Sequence, residues 1–327
     1  MSLSGHRFIL GNLPPPIGGV STFVRRYLSA LERSGADFNH CDWLRMSKRE
    51  RATWLLQIIF RPRPVHLEFN AYETWSMLAI LLRPFPTEIT LRIHSGGPES
   101  RFNRWRHYLL SQILRKVDHL ILVGPHVRGV MEHAGYQLPL EAEIQPAYLP
   151  PPPEDEDAIM ASYGPDGRAF LETHSPLLVL QGSDALQDGV DLYGSDLAIR
   201  ALVALRNDHP NAGVVIGRPS PGNPAFLEYC RSLEAEAGAA GAKDAIWILD
   251  GERQLWPVIK RSSVFLRPTT SDGDSISLRE ALHFNVPVVA SDAAPRPDGS
   301  ILFASRDQED FICAIETALQ TGEAPCS

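Results

Sequence analysis

The sequence predicts an α/β fold of two units, each a parallel sheet with helices on both faces, facing one another across a cleft. Three observations carry this expectation. Short apolar runs alternate with helical patterns along nearly the whole chain, as parallel strands joined by crossover helices do. The scheme runs twice, and Pro150-Pro151-Pro152-Pro153 followed by Glu154-Asp155-Glu156-Asp157 separates the two passes. A length of 327 residues suits two domains of ordinary size.

In the first pass, strands are expected at 7–10, 38–43, 65–69, 88–93, 119–123 and 142–145. Between the first two, Val20, Phe23, Val24, Tyr27, Leu28 and Leu31 form a helical apolar face. In the second pass, strands are expected at 177–181, 213–216, 246–249, 264–266, 286–290 and 301–303. The domains are therefore placed at 1–147 and 177–327, with 148–176 as a stiff proline-rich and acidic linker. The last helix is expected to pack on the second domain or back on the first.

Composition excludes several classes. With 44% hydrophobic and 21% charged residues, the chain reads as a soluble globular protein. It has no apolar run of about 18 residues and no secretory pattern at its start, so a cytoplasmic location is expected. Cys41, Cys230, Cys313 and Cys326 form no C-x-x-C pair and read as free thiols. The net charge of −8 is unevenly spread: residues 1–150 carry +6 and residues 151–327 carry −14. A basic first half is suited to an anionic surface. Within it, residues 43–64, WLRMSKRERATWLLQIIFRPRP, interleave cations with Trp, Leu, Ile and Phe. Two readings apply: peripheral contact with an anionic membrane, or a core helix with a solvated basic face. Nucleic acid is not an expected partner, because no recognition motif accompanies the charge.

The chemistry concentrates in residues 267–292, RPTTSDGDSISLREALHFNVPVVASD. A strand, a loop with two aspartates, a helix expected from Ser277 and a second strand make one continuous unit. The loop lies at the carboxyl end of a strand, where open α/β sheets bind ligands. The N–H groups of Ser275, Ile276, Ser277 and Leu278 at the helix start favour an anion such as phosphate. Asp272 and Asp274 beside them can accept hydrogen bonds from sugar hydroxyls. A sugar nucleotide meets this description. Other readings stand beside it. Ser277 and Glu280 are spaced as a capping box, which would reserve Glu280 for its own helix. Asp272-Gly273-Asp274 is both a D-x-D metal-site pattern and ordinary turn chemistry.

The same stretch resembles the signature of family 4 glycosyltransferases, retaining enzymes of the GT-B fold with two Rossmann-like domains. The pattern is a strand, Pro, an acidic residue, seven intervening residues, Glu-Ala and Gly-x-Pro-Val-Val. Pro268, Asp272, Glu280, Ala281, Pro287, Val288 and Val289 stand in those places. Asp272 replaces the usual Glu, and Asn285 stands where Gly is usual. The resemblance implies that Asp272 contacts the donor sugar and Glu280 the nucleotide ribose. It implies a UDP- or GDP-linked donor, a saccharide or lipid-linked acceptor, and no cofactor or required divalent metal. A hexosyltransferase of cell-surface polysaccharide or glycan biosynthesis is the function expected.

Further candidates follow the strand ends. Gly18-Gly19 precedes a helix start, where a backbone can approach a ligand closely; tight turns use adjacent glycines too. The resemblance places this loop near the donor diphosphate and the acceptor. His94 ends the strand 88–93 and heads Ser95-Gly96-Gly97; the resemblance places it close to the donor sugar. Glu68 and Asn70 end the third strand, where an acceptor pocket and an ordinary turn are both open readings.

The family's Arg and Lys for the donor diphosphate are absent, and Ser183 and Tyr193 occupy their expected places. A leaving diphosphate needs its developing charge stabilised. Arg267 and Arg296, the second held between Pro295 and Pro297, are the substitutes expected, one or both; the alternative makes them surface arginines. Without substitutes, the fold would serve as a silent nucleotide-sugar-binding or scaffold protein. A sugar-nucleotide epimerase of the same plan is the other rival.

Overall fold

The computed structural model describes residues 6–15, 17–62, 64–70, 72–94, 102–183, 185–218, 224–272 and 274–322. The chain divides into two units, residues 1–149 and 150–327.

The first unit runs β1 (His6–Leu10), α1 (Gly19–Arg33), β2 (Phe38–Cys41), α2 (Lys48–Phe60), β3 (Val65–Phe69), α3 (Thr74–Leu82), β4 (Thr87–Ile93), α4 (Arg104–Leu114), β5 (His119–Leu122), α5 (Pro125–His133) and β6 (Glu143–Ile144). Its six strands are all parallel, in the order β2-β1-β3-β4-β5-β6. The order reverses between β1 and β3, so their carboxyl ends flank the switch point where such sheets bind ligands. Gly11 leaves β1 at this point. A Cβ there would meet Val24 of α1 at 2.8 Å, so the close approach of strand and helix requires glycine.

The second unit runs α6 (Glu156–Ser162), α7 (Gly164–Thr173), β7 (Leu177–Gln181), β8 (Leu186–Gln187), β9 (Val190–Asp191), α8 (Ser195–Leu205), β10 (Gly213–Arg218), α9 (Pro224–Ala239), β11 (Ile246–Asp250), α10 (Trp256–Ile259), β12 (Val264–Arg267), α11 (Ile276–His283), β13 (Val288–Ser291), β14 (Ser300–Phe303) and α12 (Gln308–Gly322). Its six-stranded parallel sheet has the order β11-β10-β7-β12-β13-β14, and its switch point lies between β7 and β12. Alternate residues of one strand feed two cores. Leu178 and Leu180 join Val214, Leu266 and Val289 on one face, under α8 and α12. Leu177 and Val179 join Val215, Phe265 and Val288 on the other. Strands buried on both faces read as continuous apolar runs, which is why these were visible in the sequence. The final helix packs within this unit, with Phe311, Ile315 and Ala318 buried against its own sheet.

Four expectations change. Residues 150–176 are not a bare linker: after the prolines they fold into α6 and α7. Ile159, Met160, Phe170 and Leu171 pack on the sheet's second core, and Tyr163 donates to the Gln254 carbonyl at 2.6 Å. Gly167 lies so close to Trp247 that a Cβ would meet the indole at 2.5 Å. The strands expected at 38–43 and 142–145 shorten to β2 and β6, because Asp42 turns to accept from Leu13 N–H at 3.0 Å and only Glu143 and Ile144 pair with β5. The antiparallel pair β8–β9 was not anticipated; its strands have two residues each. In the stretch 43–64, α2 buries only Trp54 and Ile58.

Candidate functional site

All four residues of β12 are buried, and Pro268 then removes an N–H and ends the strand. The Arg267 side chain folds back onto the following loop. Its Nε donates to Asp272 Oδ2 and its Nη2 to Oδ1, each at 2.8 Å, while Nη1 reaches the Gln181 carbonyl at 3.4 Å. It therefore sits on the switch point between β7 and β12. Arg296 comes from the turn after β13. Its Nη1 donates to Asp272 Oδ2 at 2.5 Å, Nη2 to Thr269 Oγ1 at 2.9 Å and Nε to the Ser291 carbonyl at 2.9 Å. One carboxylate thus holds two guanidinium groups and ties the exits of β12 and β13 together. Their side-chain exposures are 7% for Arg267, 7% for Asp272 and 2% for Arg296, so neither arginine is the surface cation of the alternative reading.

Burial by itself would raise the Asp272 carboxyl's pKa. The hydrogen bonds and charge of Arg267, then those of Arg296, outweigh it and hold the group below its ordinary range. Burial also pulls Arg267 down, but Asp272 and Tyr193 more than restore it. For Arg296 burial wins over Asp272, and its pKa is lowered. The trio keeps one net positive charge at the carboxyl end of the sheet.

Helix α11 starts one residue earlier than expected, at Ile276, and its cap is Ser275, whose Oγ accepts from Leu278 N–H at 3.3 Å. The Ser277–Glu280 capping box is therefore not formed. Ser275 already supplies the side-chain oxygen that the first turn needs, so Glu280, 4% exposed, does not serve as the cap. Asp274 pairs with Arg279 of the same helix at 2.5 Å. Gly273, the middle of the D-x-D pattern, lies outside the described residues. The departure at Asn285 has a conformational reason. Its φ is +57°, in the left-handed region that Asn tolerates better than other side chains. Val286 N–H closes the helix end onto the Ala281 carbonyl at 2.9 Å.

The segment with Ser183 and Tyr193 is tied to the same place. Asp191 is fully buried and accepts from the N–H groups of Tyr193 and Ser195, both at 2.8 Å. Gly194 has φ +73°, and a Cβ on it would meet the Pro268 carbonyl at 2.8 Å, so glycine is required twice over. The Arg267 guanidinium lies over the Tyr193 ring, 5.2 Å from its centroid. A cation therefore sits beside position 193, supplied from β12 rather than from the loop itself. Next to Ser183 is a small, mostly apolar pocket bounded by Ile199, Ile216, Phe226 and Ile248. Arg218, which also lines it, is held by Asp250 at 2.5 and 2.9 Å.

In the first unit, Gly18 caps α1. Its N–H donates to Ser21 Oγ at 3.0 Å, and a Cβ would meet only that oxygen, at 4.0 Å. The space over Gly18 is open, and its φ of −154° does not demand glycine. Gly19 begins the helix. His94 follows β4, with its Nε2 3.4 Å from Asn70 Oδ1 and its ring 5.6 Å from that of Phe23 on α1. Burial, and then the charge of Arg92, push its pKa down to about 3, so the imidazole is neutral near pH 7. Ser95, Gly96 and Gly97 lie outside the described residues. Glu68 accepts from Tyr27 Oη at 2.6 Å, so it belongs to a buried network on α1 and is no ordinary turn residue. Sequence reading missed Tyr27, Arg92, Thr269, Ser291 and Asp191. Asp191 alone carried a local signal, two residues before a Tyr-Gly turn, while the others meet their partners only through the sheet.

Comparison with known proteins agrees with this geometry. A family model described as glycosyl transferases group 1 matches residues 189–321. The lipopolysaccharide core biosynthesis mannosyltransferase LpcC of Rhizobium leguminosarum bv. viciae is 24% identical over 281 residues, covering 84% of this chain and 69% of that protein. Among solved structures, Anabaena HepE in complex with UDP superposes with a TM-score of 0.64 at 11% identity, over 97% of this chain and 90% of that one. Sucrose-phosphate synthase from Thermosynechococcus elongatus gives 0.60 at 15% identity, over 98% and 90%. At such identities the structural likenesses speak for the fold. The family match spans the whole β12–α11–β13 unit with the Arg267–Asp272–Arg296 trio, so the second unit is similar to the group 1 glycosyl transferases, and the two parallel sheets have the GT-B fold of these structural neighbours.

Proposed function

We propose that the chain is a retaining hexosyltransferase that moves a sugar from a UDP- or GDP-linked donor to a saccharide or lipid-linked acceptor in cell-surface polysaccharide biosynthesis. The observation that carries the proposal is the trio at the switch point of the second sheet. Arg267 and Arg296 place positive charge beside the first turn of α11, where the N–H groups of Ile276 and Ser277 add their own partial charge. A nucleoside diphosphate is the ligand this charge suits, and the reading needs no divalent metal. The proposal is supported by LpcC, a mannosyltransferase of lipopolysaccharide core biosynthesis by name, and by HepE, whose structures include UDP-glucose.

The roles follow from the contacts. Asp272 is held ionised, and among the described residues its Oδ1 accepts from Arg267 alone. A carboxylate oxygen has room for about two donors, so Oδ1 can take a hydroxyl of the donor sugar. Glu280 is assigned to the ribose, and Asp274 to a second sugar hydroxyl. His94, being neutral, acts as a hydrogen-bonding group rather than a charged acid. Gly18 and Gly19 leave room for a ligand at the start of α1. As the sugar departs, Arg267 and Arg296 neutralise the charge growing on the leaving diphosphate.

The test is transfer from UDP- and GDP-hexoses to saccharide and lipid-linked acceptors, with the anomeric configuration of the product read by proton NMR. Product with the donor's configuration is expected. Inverted product would reject retention, and turnover without any acceptor would point to an epimerase.

A further inference from the structure

We infer that Asn70 is a positioning residue: it holds the His94 imidazole with its proton on Nε2, so that the Nδ1 lone pair receives a hydroxyl of the sugar and not an oxygen of the diphosphate. The inference rests on His94 facing the substrate, as proposed above. Asn70 and His94 each stand one residue beyond the end of neighbouring parallel strands, β3 and β4, at the edge where such sheets bind ligands. Asn70 Oδ1 faces His94 Nε2 at 3.4 Å. An amide oxygen only accepts, so the ring nitrogen facing it is the one that carries the proton.

Packing does not account for the amide. Asn70 is 3% exposed, and its Nδ2 is sealed from solvent with no partner among the described residues. Buried amide donors are normally matched, and a leucine of similar volume would fill the space without stranding one. Among the described residues, His94 is the group that this side chain's polarity serves. The pair is held from both sides. Asn70 N–H donates to the Leu10 carbonyl at 2.9 Å, which extends the pairing of β1 and β3 by one residue. The Phe23 ring stands edge-on to the imidazole, with centroids 5.6 Å apart and planes at 63°. Glu68, the acid of β3, is engaged by Tyr27 at 2.6 Å instead.

The tautomer decides what His94 takes. Its Nδ1 has no hydrogen-bond partner among the described residues. In the neutral ring that nitrogen is an acceptor, and burial, then the charge of Arg92, keep a second proton away from it. An acceptor needs a ligand group with a hydrogen to give. A sugar hydroxyl has one; the oxygens of an ionised diphosphate do not. A carboxylate at position 70 would also accept from Nε2–H, but its charge would draw a proton onto Nδ1 and close it to a hydroxyl. The amide sets the tautomer without doing so.

The test is the nitrogen-15 spectrum of the histidine-labelled chain at about pH 7, with His94 identified by the signals missing from His94→Gln. Protonated Nε2 and unprotonated Nδ1 are expected, and a UDP- or GDP-hexose is expected to shift Nδ1 more than UDP or GDP does. In Asn70→Leu the preference for Nε2–H should be lost and transfer should slow roughly tenfold, with melting unchanged or raised. Wild-type His94 protonated on Nδ1 overturns the inference. So does an Asn70→Leu chain that melts lower yet keeps the wild-type tautomer and rate, which would make the amide a packing group. Equal shifts of Nδ1 by nucleotide and sugar nucleotide assign His94 to the diphosphate and overturn it too. If the chain transfers no sugar, the unliganded spectrum still decides the tautomer, so failure of the transfer reading is told apart from failure of this one.

Discussion

Arg267 and Asp272, five residues apart at the exit of β12, grip each other through two parallel 2.8 Å hydrogen bonds with almost no solvent access. Arg296 makes the pair a trio. Removing the acid leaves two buried cations facing each other, a loss of about 3–5 kcal/mol for a broken buried pair. Asp272→Asn is expected to lower the urea midpoint strongly. Arg267→Ala leaves Asp272 with Arg296, so the fold should suffer less, while affinity for UDP or GDP in calorimetric titration falls about tenfold or more. Unchanged affinity would remove Arg267 from the diphosphate site.

Gly194 and Gly18 should respond in opposite ways. Gly194→Ala forces a Cβ into Pro268 at a left-handed φ, and thermal melting should fall by an amount equivalent to about 1–3 kcal/mol. Gly18→Ala meets only open space, so melting should hardly change while transfer slows. Equal melting for both variants would contradict the backbone argument.

The cap of α11 gives a local test. Ser275→Ala should cost about 1 kcal/mol in denaturant unfolding, because its Oγ holds Leu278 N–H. Ser277→Ala should stay within roughly 0.5 kcal/mol. The reverse order would restore the Ser277–Glu280 box.

His94 predicts acid sensitivity. In the unfolded chain it titrates near 6.5, and in the fold near 3. Its contribution is fully present above pH ~6.5 and is lost as pH falls toward 3, because only the unfolded state then takes up the proton. The slope is at most about 1.4 kcal/mol per pH unit. His66, lowered chiefly by burial, contributes in the same sense, so the measurement is the difference between wild type and His94→Gln. That difference should fall steadily as pH is lowered from ~6.5 to ~4, the variant's own profile being the flatter; a difference that stays constant over this range would exclude His94 as its source.

The sheets were legible because their strands are apolar on both faces: Leu177-Leu178-Val179-Leu180 and Val264-Phe265-Leu266 read as strands from composition alone. The short pair β8–β9 was not, since Leu186-Gln187 and Val190-Asp191 are too brief for any period. Four prolines dominated the reading of 150–176 and hid the apolar Ile159, Met160, Phe170 and Leu171 that dock it. At the site, spacing found Asp272, Glu280, Arg267 and Arg296. It did not find that Asp272 holds both arginines, because Arg296 lies 24 residues away in sequence and is brought in by β13.

Asp191 grips the backbone N–H groups of Tyr193 and Ser195, and the Ser195 hydroxyl, but not the Tyr193 side chain. The loop is thus a socket whose walls stand whatever side chain fills position 193. Its occupant and Arg267 are coupled through charge instead: the ring of Tyr193 accommodates the guanidinium over it, whereas a lysine would set two cations against each other. Positions 193 and 267 therefore act as one unit, in which a cation at one place disfavours a second cation at the other.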